Sequence, residues 1–338
     1  MDKQITMALP SKGALAGPTL EFLKFCGLKV WKPNPRQYTG EIPAIPQMNV
    51  MFQRVKDIVY KVADGTAQLG ITGLDVVHEY SDENVVVIHD DLEYGHCELV
   101  VAVPESWLDV EDMADLVDVS LDIRRTQQRD LRVATTYTHS TRQFLHEQGI
   151  HHFSLVKADG AVEAAPTLGY ADVVVDLAQT GTTLRENRLK TLAGGTVISS
   201  QACLIGNREA LLGDDTLMQT LETTLELMDA SMLGKRYYHL TANIQGDSPE
   251  SIAEQVLENP VTSGLQGPSI ARVYGRQAAT EGQWYTVTVV VRQKDLLAAV
   301  AHLRSIGGTQ TTTYPAGFVF MQQSTTLQRL QQKLTQSV

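Results

Sequence analysis

Short apolar runs alternate with stretches of helical spacing over the first two thirds of the chain. Ile5-Thr6-Met7-Ala8-Leu9, Gln68-Leu69-Gly70-Ile71, Val85-Val86-Val87-Ile88, Leu99-Val100-Val101-Ala102-Val103 and Ala171-Asp172-Val173-Val174-Val175-Asp176-Leu177 predict strands. Such runs, with little polar alternation, read as strands buried on both faces of a sheet. Between them, residues 14–25, 52–63, 139–148 and 215–233 have apolar positions three and four apart and predict helices. Strand and helix in alternation predict an α/β body. From Gly234 the pattern changes. Strands at 238–243, 269–274, 284–291 and 310–320, with helices at 249–257 and 296–303, give the order βαββαβ, a ferredoxin-like module, followed by a polar helical tail at 327–334. A small regulatory or assembly domain is the expectation.

The connections carry the candidate chemistry. After the strand at 171–177 comes Thr180-Gly181-Thr182-Thr183 and then a helical pattern from Leu184. Strand, hydroxyl-and-glycine turn, helix is an order that leaves backbone N–H groups free at a helix N-terminus, where an anion is favoured. The same turn is also a good helix cap with no ligand. Gln68 to Ile71 followed by Thr72-Gly73 and Leu74-Asp75 repeats the unit about a hundred residues earlier. Two such turns predict two similar α/β lobes facing a shared cleft, because ligands in open α/β sheets sit at the carboxyl ends of strands. Lys12 beside Gly13 follows the first strand and can meet a phosphate or solvent. The four prolines of 31–50 predict loop or hairpin, 121–130 an exposed polar connection, 159–163 a helix start and Gly194-Gly195 a break.

Charge narrows the partners. The chain of 338 residues has a net charge of −11, yet 235–338 holds nine Lys/Arg against six Asp/Glu, leaving −14 on the remainder. A body this acidic excludes non-specific nucleic-acid binding, and polyphosphates would need local donors and a divalent cation. No apolar run reaches membrane length, and the N-terminus lacks the apolar core of a signal peptide. Cys26, Cys97 and Cys203 are widely spaced and odd in number, which predicts free thiols and a reducing, cytoplasmic compartment. The usual motifs of P-loop, dinucleotide, zinc and serine-nucleophile chemistry are absent, and the His151-His152 pair reads as surface. Anion cradles plus acids remain, the equipment of positioning and electrostatic stabilisation.

Those residues resemble a known signature. Gly160-Ala161-Val162-Glu163-Ala164-Ala165-Pro166-Thr167-Leu168-Gly169-Tyr170-Ala171-Asp172, then Asp176-Leu177, Thr180-Gly181 and Thr183-Leu184, is similar to the ATP phosphoribosyltransferases. Gly70-Ile71-Thr72-Gly73, Arg54 with Asp57-Ile58, Arg132-Val133-Ala134-Thr135 and Ala202-Cys203-Leu204-Ile205 match in order, while Ala14 departs from the usual arginine. The resemblance implies a two-lobed catalytic body of the periplasmic-binding-protein type, with lobe I at 1–103 and 196–233 and a PRPP-binding lobe II at 104–195. It also implies a regulatory ACT-like domain at 234–338. The reaction it implies is pentosyl transfer: adenine N1 of ATP attacks C1 of 5-phosphoribosyl 1-diphosphate (PRPP), giving N1-(5-phosphoribosyl)-ATP and pyrophosphate. This is the first step of histidine biosynthesis.

By the same resemblance, Thr180, Gly181, Thr182 and Thr183 hold the 5-phosphate and Asp176 the ribose hydroxyls. Glu163 stands near the reacting centre, and Asp172 orders the sheet edge. Lys12, Arg54, Thr72, Gly73 and Asp75 meet ATP. Mg²⁺ is implied as cofactor, carried mainly by substrate phosphates. Histidine is implied as feedback inhibitor and a dimer or hexamer as assembly, without nucleic-acid or membrane partners. The rival expectation is a non-catalytic small-anion sensor or regulatory paralogue, which Ala14 keeps open.

Overall fold

The computed structural model describes residues 4–34, 36–158, 160–274 and 283–335. The chain runs β1 (Ile5–Pro10), α1 (Ala16–Phe25), β2 (Thr39–Glu41), β3 (Met48–Gln53), α2 (Val55–Ala63), β4 (Leu69–Gly73), α3 (Leu74–Glu79) and β5 (Val85–His89). It continues through β6 (Cys97–Pro104), α4 (Met113–Gln127), β7 (Leu131–Thr135), α5 (Thr138–Glu147), β8 (Phe153–Lys157), β9 (Val173–Ala178), α6 (Thr182–Glu186) and β10 (Leu189–Ser200). Next are β11 (Ala202–Asn207), α7 (Arg208–Gly213), α8 (Asp215–Gly234), β12 (Tyr237–Gly246), α9 (Pro249–Leu257), β13 (Ser269–Arg272) and β14 (Gln283–Arg292). The chain closes with α10 (Leu296–Ser305), β15 (Thr309–Pro315) and α11 (Thr325–Thr335).

Two compact units emerge: Met1–Lys24 with Leu28–Leu221 and Arg329–Val338, and Phe25–Gly27 with Glu222–Gln328. The change of sequence pattern at 234 marks where strands resume. The division itself falls within the unbroken helix α8, where the sequence gives no signal.

The first unit contains two mixed sheets, the two-lobed α/β body that the pattern predicts. One has the order β2-β3-β1-β4-β11-β5, the other β10-β6-β9-β7-β8. β1 runs parallel to β3 and β4, and β7 runs parallel to β8 and β9. Parallel central strands covered on both faces require continuous apolar runs, and Met7, Ala8, Leu9, Val173, Val174 and Val175 are all fully buried. A Cβ at Gly70 would come within 2.7 Å of Ile58 and 3.0 Å of Val62, so glycine lets α2 lie close on β4.

The expected lobe boundaries at 103/104 and 195/196 fall inside strands of the second sheet. β6 and β10 pair with each other from Leu189↔Pro104 to Ser200↔Cys97. The chain therefore changes sheets at 90–96 and at Gln201. Gly194-Gly195 do not break the chain; they sit within β10, where the register shifts between Thr191 and Thr196. The stretch 121–130 is mostly helix, not a connection. Met113, Leu116, Ser120 and Ile123 turn one buried face of α4 inward, and Asp112 with Asp115 closes a capping box at its start. The expected helix start at 159–163 is a single 3-10 turn, Val162–Ala164, and Asp159 lies outside the described residues. Phe52 belongs to β3, which forms a hairpin with β2.

Asp172, just before β9, is held by both arginines of the β7 approach. Arg129 donates to it at 2.6 and 3.1 Å, and Arg132 at 2.9 Å from its guanidinium and 2.9 Å from its backbone N–H. Burial opposes the charged form, but the hydrogen bonds from Arg132 and Arg129 outweigh it and hold the carboxyl at about 2. This folded value lies below the unfolded one of 3.8, so its stabilisation is full above that value and is lost as pH falls towards 2. Asp172→Asn is expected to cost about 2 kcal/mol at neutral pH and to flatten the urea midpoint between about pH 4 and pH 2. A variant as stable as the parent at neutral pH would show that the arginine pair holds nothing in place.

The second unit has a four-stranded sheet in the order β13-β14-β12-β15, antiparallel throughout. That is the strand order of a ferredoxin-like βαββαβ module. Tyr285, Val287, Val289 and Val291 alternate inward from β14 and share a core with Ile252 and Val256 of α9 and Ala299 and Leu303 of α10. The last strand ends at Pro315 rather than 320. The tail helix is longer than the 327–334 that its apolar spacing predicts, spanning Thr325–Thr335.

Candidate functional site

Three neighbouring parallel strands, in the order β3-β1-β4, end on one edge of the first sheet. Arg54, Lys12 and the Thr72-Gly73 turn follow those ends, so the topology gathers the residues expected to meet ATP. Lys12 and Arg54 are exposed. Thr72 is fully buried, and its hydroxyl donates to the Val55 carbonyl at 2.9 Å, tying the end of β4 to the first turn of α2. A Cβ on Gly73 would collide with the Asp75 carboxylate.

Asp75 is committed elsewhere. It is 4% exposed. One carboxylate oxygen accepts the Ser200 hydroxyl at 2.6 Å, and the other accepts the Tyr137 phenol at 2.6 Å. The Asp75 N–H donates back to Ser200 Oγ at 2.9 Å. Burial, with Asp75 beside it, pushes the Tyr137 phenol far above its ordinary value and keeps it a donor. Tyr137 follows the carboxyl end of β7 as Asp75 follows that of β4, so the carboxyl edges of the two sheets face each other here. Asp75 and Tyr137 bridge the two sheets at these ends.

On the second sheet, β9 leads into the Thr180–Thr183 turn. Gly181 has φ +68°, the left-handed region, and the space where its Cβ would stand is open to 4 Å. Thr180 and Thr182 pair through their hydroxyls at 2.9 Å, and Thr180, Thr182 and Thr183 are exposed. The first helical bond is from the Arg185 N–H to the Gly181 carbonyl, so the N–H groups of Thr182, Thr183 and Leu184 precede it. Asp176 accepts the Leu177 N–H at 2.8 Å. Burial pushes its carboxyl above the usual range, against that hydrogen bond, and the Glu163 charge adds to the push. The 3-10 turn thus brings Glu163 and Asp176 into one field. Asp172, its two oxygens taken by arginines, belongs to the sheet edge.

His151 meets His146, Nδ1 to Nδ1 at 3.2 Å, on an exposed flank. Among the described residues no group of three or more His, Cys, Asp or Glu is placed to hold a metal ion. Sequence reasoning missed Tyr137, Ser200, Glu79 and Arg129. Of these only Tyr137 left a local signal, a hydroxyl-bearing side chain two residues past the end of β7.

Comparison with known proteins bears on this geometry. A family model described as ATP phosphoribosyltransferase matches residues 54–227, and one described as HisG, C-terminal domain, matches 234–315. The chain is 39% identical to ATP phosphoribosyltransferase 2, chloroplastic, of Arabidopsis thaliana, over 95% of this chain and 78% of that protein. It is 42% identical to an ATP phosphoribosyltransferase of Mesorhizobium japonicum over 65% of this chain and 97% of that one. Among solved structures, the ATP phosphoribosyl transferase (HisG:HisZ) complex from Thermotoga maritima superposes with a TM-score of 0.52 at 22% identity, covering 67% of this chain and 96% of that one, a likeness of fold. On the strength of the two family matches and 39% identity to the plant protein over 95% of this chain, the chain belongs to the ATP phosphoribosyltransferase family, which catalyses the first step of histidine biosynthesis, and it carries that family's HisG C-terminal domain.

Proposed function

We propose that the facing strand edges are the two half-sites of this transfer, with PRPP on β9 and ATP on β1, β3 and β4. One observation carries the reading: the open left-handed turn at Gly181 stands at the carboxyl end of β9, beside the Asp176–Glu163 pair. Thr180, Gly181, Thr182 and Thr183 hold the 5-phosphate, and Asp176 holds the ribose hydroxyls. Lys12 and Arg54, both exposed, receive the triphosphate of ATP, and the buried Thr72-Gly73 turn shapes the edge beside them. Asp75, its oxygens occupied, shapes that edge through Tyr137 and Ser200.

Adenine N1 already has a lone pair, so no general base is required. The N1–C1 bond forms as the C1–O bond to diphosphate breaks, and the electron pair leaves with pyrophosphate. Positive charge develops on the sugar in the transition state, where cleavage runs ahead of bond formation. Two carboxylates in a partly dry site oppose that charge more strongly than they would in water.

Mg²⁺ binds through one or two carboxylates plus substrate phosphates rather than in an all-protein cage. Asp176 and Glu163 fit that donor number, with the diphosphate of PRPP supplying the rest. The ion would neutralise charge on the departing diphosphate. Histidine acts as feedback inhibitor through the C-terminal domain, and the working form is a dimer or hexamer. Cys26, Cys97 and Cys203 form no disulfide, which suits a reducing cytoplasm, and burial pushes the Cys26 and Cys97 thiols up to about 12 and about 11.

The purified chain mixed with ATP, PRPP and Mg²⁺ is expected to give the ultraviolet absorbance of phosphoribosyl-ATP, dependent on all three and suppressed by histidine. Silence with both substrates still bound would return the chain to the sensor or regulatory class.

A further inference from the structure

Helix α5 begins without a cap of its own. Its N-cap residue, Tyr137, makes no side-chain capping bond. Its first intrahelical bond runs from the Thr141 N–H to the Tyr137 carbonyl, which leaves the N–H groups of residues 138–140 to find partners elsewhere. Two of them find Glu79, which belongs to α3 in the other lobe. His139 N–H donates to one oxygen of Glu79 at 2.9 Å, and Ser140 N–H donates to the other at 2.9 Å. The Ser140 hydroxyl adds a bond at 3.0 Å and the Thr138 hydroxyl one at 3.3 Å. Glu79 is 7% exposed, and Ser140 equally so.

A buried carboxylate is costly unless its oxygens are filled, and here four donors fill them. The positive end of the α5 dipole adds to the attraction. Four residues before Glu79, Asp75 reaches Tyr137, the residue just ahead of the same helix. Two acids on one face of α3 therefore hold the start of α5. The chain crosses between the lobes at 90–96 and at Gln201, and Ser200, the residue before the second crossing, binds Asp75. The grip thus lies beside a crossing.

We infer that Glu79 is a positioning residue: with Asp75 it clamps the N-terminus of α5 and sets the distance between the two half-sites. The inference rests on the half-site reading above, but its geometric part can be tested without it. Nothing in Glu79 need touch a substrate. The clamp fixes where β7 and β9, and so the Thr180–Thr183 turn, stand relative to the ends of β1, β3 and β4. Displacement of reacting groups by about 1 Å can cost roughly a hundredfold in rate.

The experiment is hydrogen exchange and steady-state kinetics on the full chain and on Glu79→Gln, Glu79→Ala and Glu79→Asp. First-turn helix amides ordinarily exchange fast, so protection at His139 and Ser140 in the parent, lost by at least about tenfold in Glu79→Ala, is the direct signature. Turnover at saturating ATP and PRPP is expected to fall by about tenfold or more in Glu79→Gln, with the PRPP dissociation constant within about twofold of the parent. Glu79→Asp is expected to recover part of both effects, since it keeps a charged acceptor.

Unprotected amides in the parent would show that the clamp does not form. Parent-like turnover in Glu79→Ala would show that it positions nothing. Equal losses of melting temperature, PRPP binding and turnover in every variant would reduce Glu79 to a structural residue. A parent without transferase activity would instead count against the half-site reading, and the exchange result would still decide the clamp.

Discussion

Asp176→Asn is expected to lower turnover by about a hundredfold to a thousandfold, the scale on which removal of one preorganised electrostatic partner acts. The same substitution is expected to leave the melting temperature unchanged or raised. Burial first, then the Glu163 charge, pushes the Asp176 carboxyl above its ordinary 3.8. Its folded value therefore exceeds its unfolded one, and linkage gives the sign: stability is lost as pH rises from 3.8 through the folded value. At neutral pH the full penalty is present in the unliganded protein, and an uncharged isostere relieves it. A charge kept at a cost to stability is the mark of a functional group rather than a structural one. Kinetics and calorimetry on one preparation check both halves. Parent-like turnover would remove Asp176 from the site, and a large drop in melting temperature would make its role structural.

Gly181→Val is expected to raise the KM for PRPP by about tenfold or more, through backbone conformation. The site offers room for a side chain, since a Cβ there meets nothing within 4 Å. Crowding is therefore not the cause. The cost is the left-handed φ of +68°, which glycine adopts freely and a β-branched residue does not. Holding a non-glycine residue in such a region costs about 1–3 kcal/mol, so the turn would relax and carry Thr180 and Thr182 out of register with the phosphate. Gly181→Asn separates the explanations, because asparagine tolerates the left-handed region better. It should retain more PRPP affinity than valine does. Equal losses in the two would point to side-chain bulk instead.

The parts legible in the sequence were those written locally. The buried run before Thr180, the glycine turn and the helix after it occupy a dozen consecutive residues, and the turn appears in the fold as read. The strand-helix order of the second unit is equally local, since alternation on β14 and the spacing of α9 and α10 fix which faces meet. What could not be read depends on distant partners. Asp75 looked like a substrate ligand because it follows Thr72-Gly73, but its partners Tyr137 and Ser200 lie 62 and 125 residues away. Glu79 has no motif around it and gains meaning only from the start of α5. The stretch 121–130 looked like a loop because only one helical face, Met113 to Ile123, is apolar and its far end is rich in Arg and Gln. The lobe boundary was misplaced because β6 and β10 resemble core strands of either sheet, and only pairing tells which.

The pairing of Cys97 with Ser200 at the outer ends of β6 and β10 has a practical corollary. Everything between those positions is one uninterrupted segment that leaves and re-enters its host at adjacent points, as an inserted domain does. Excised at 97 and 200, such a segment would have its termini side by side, ready for ligation into a ring or transplantation into another loop.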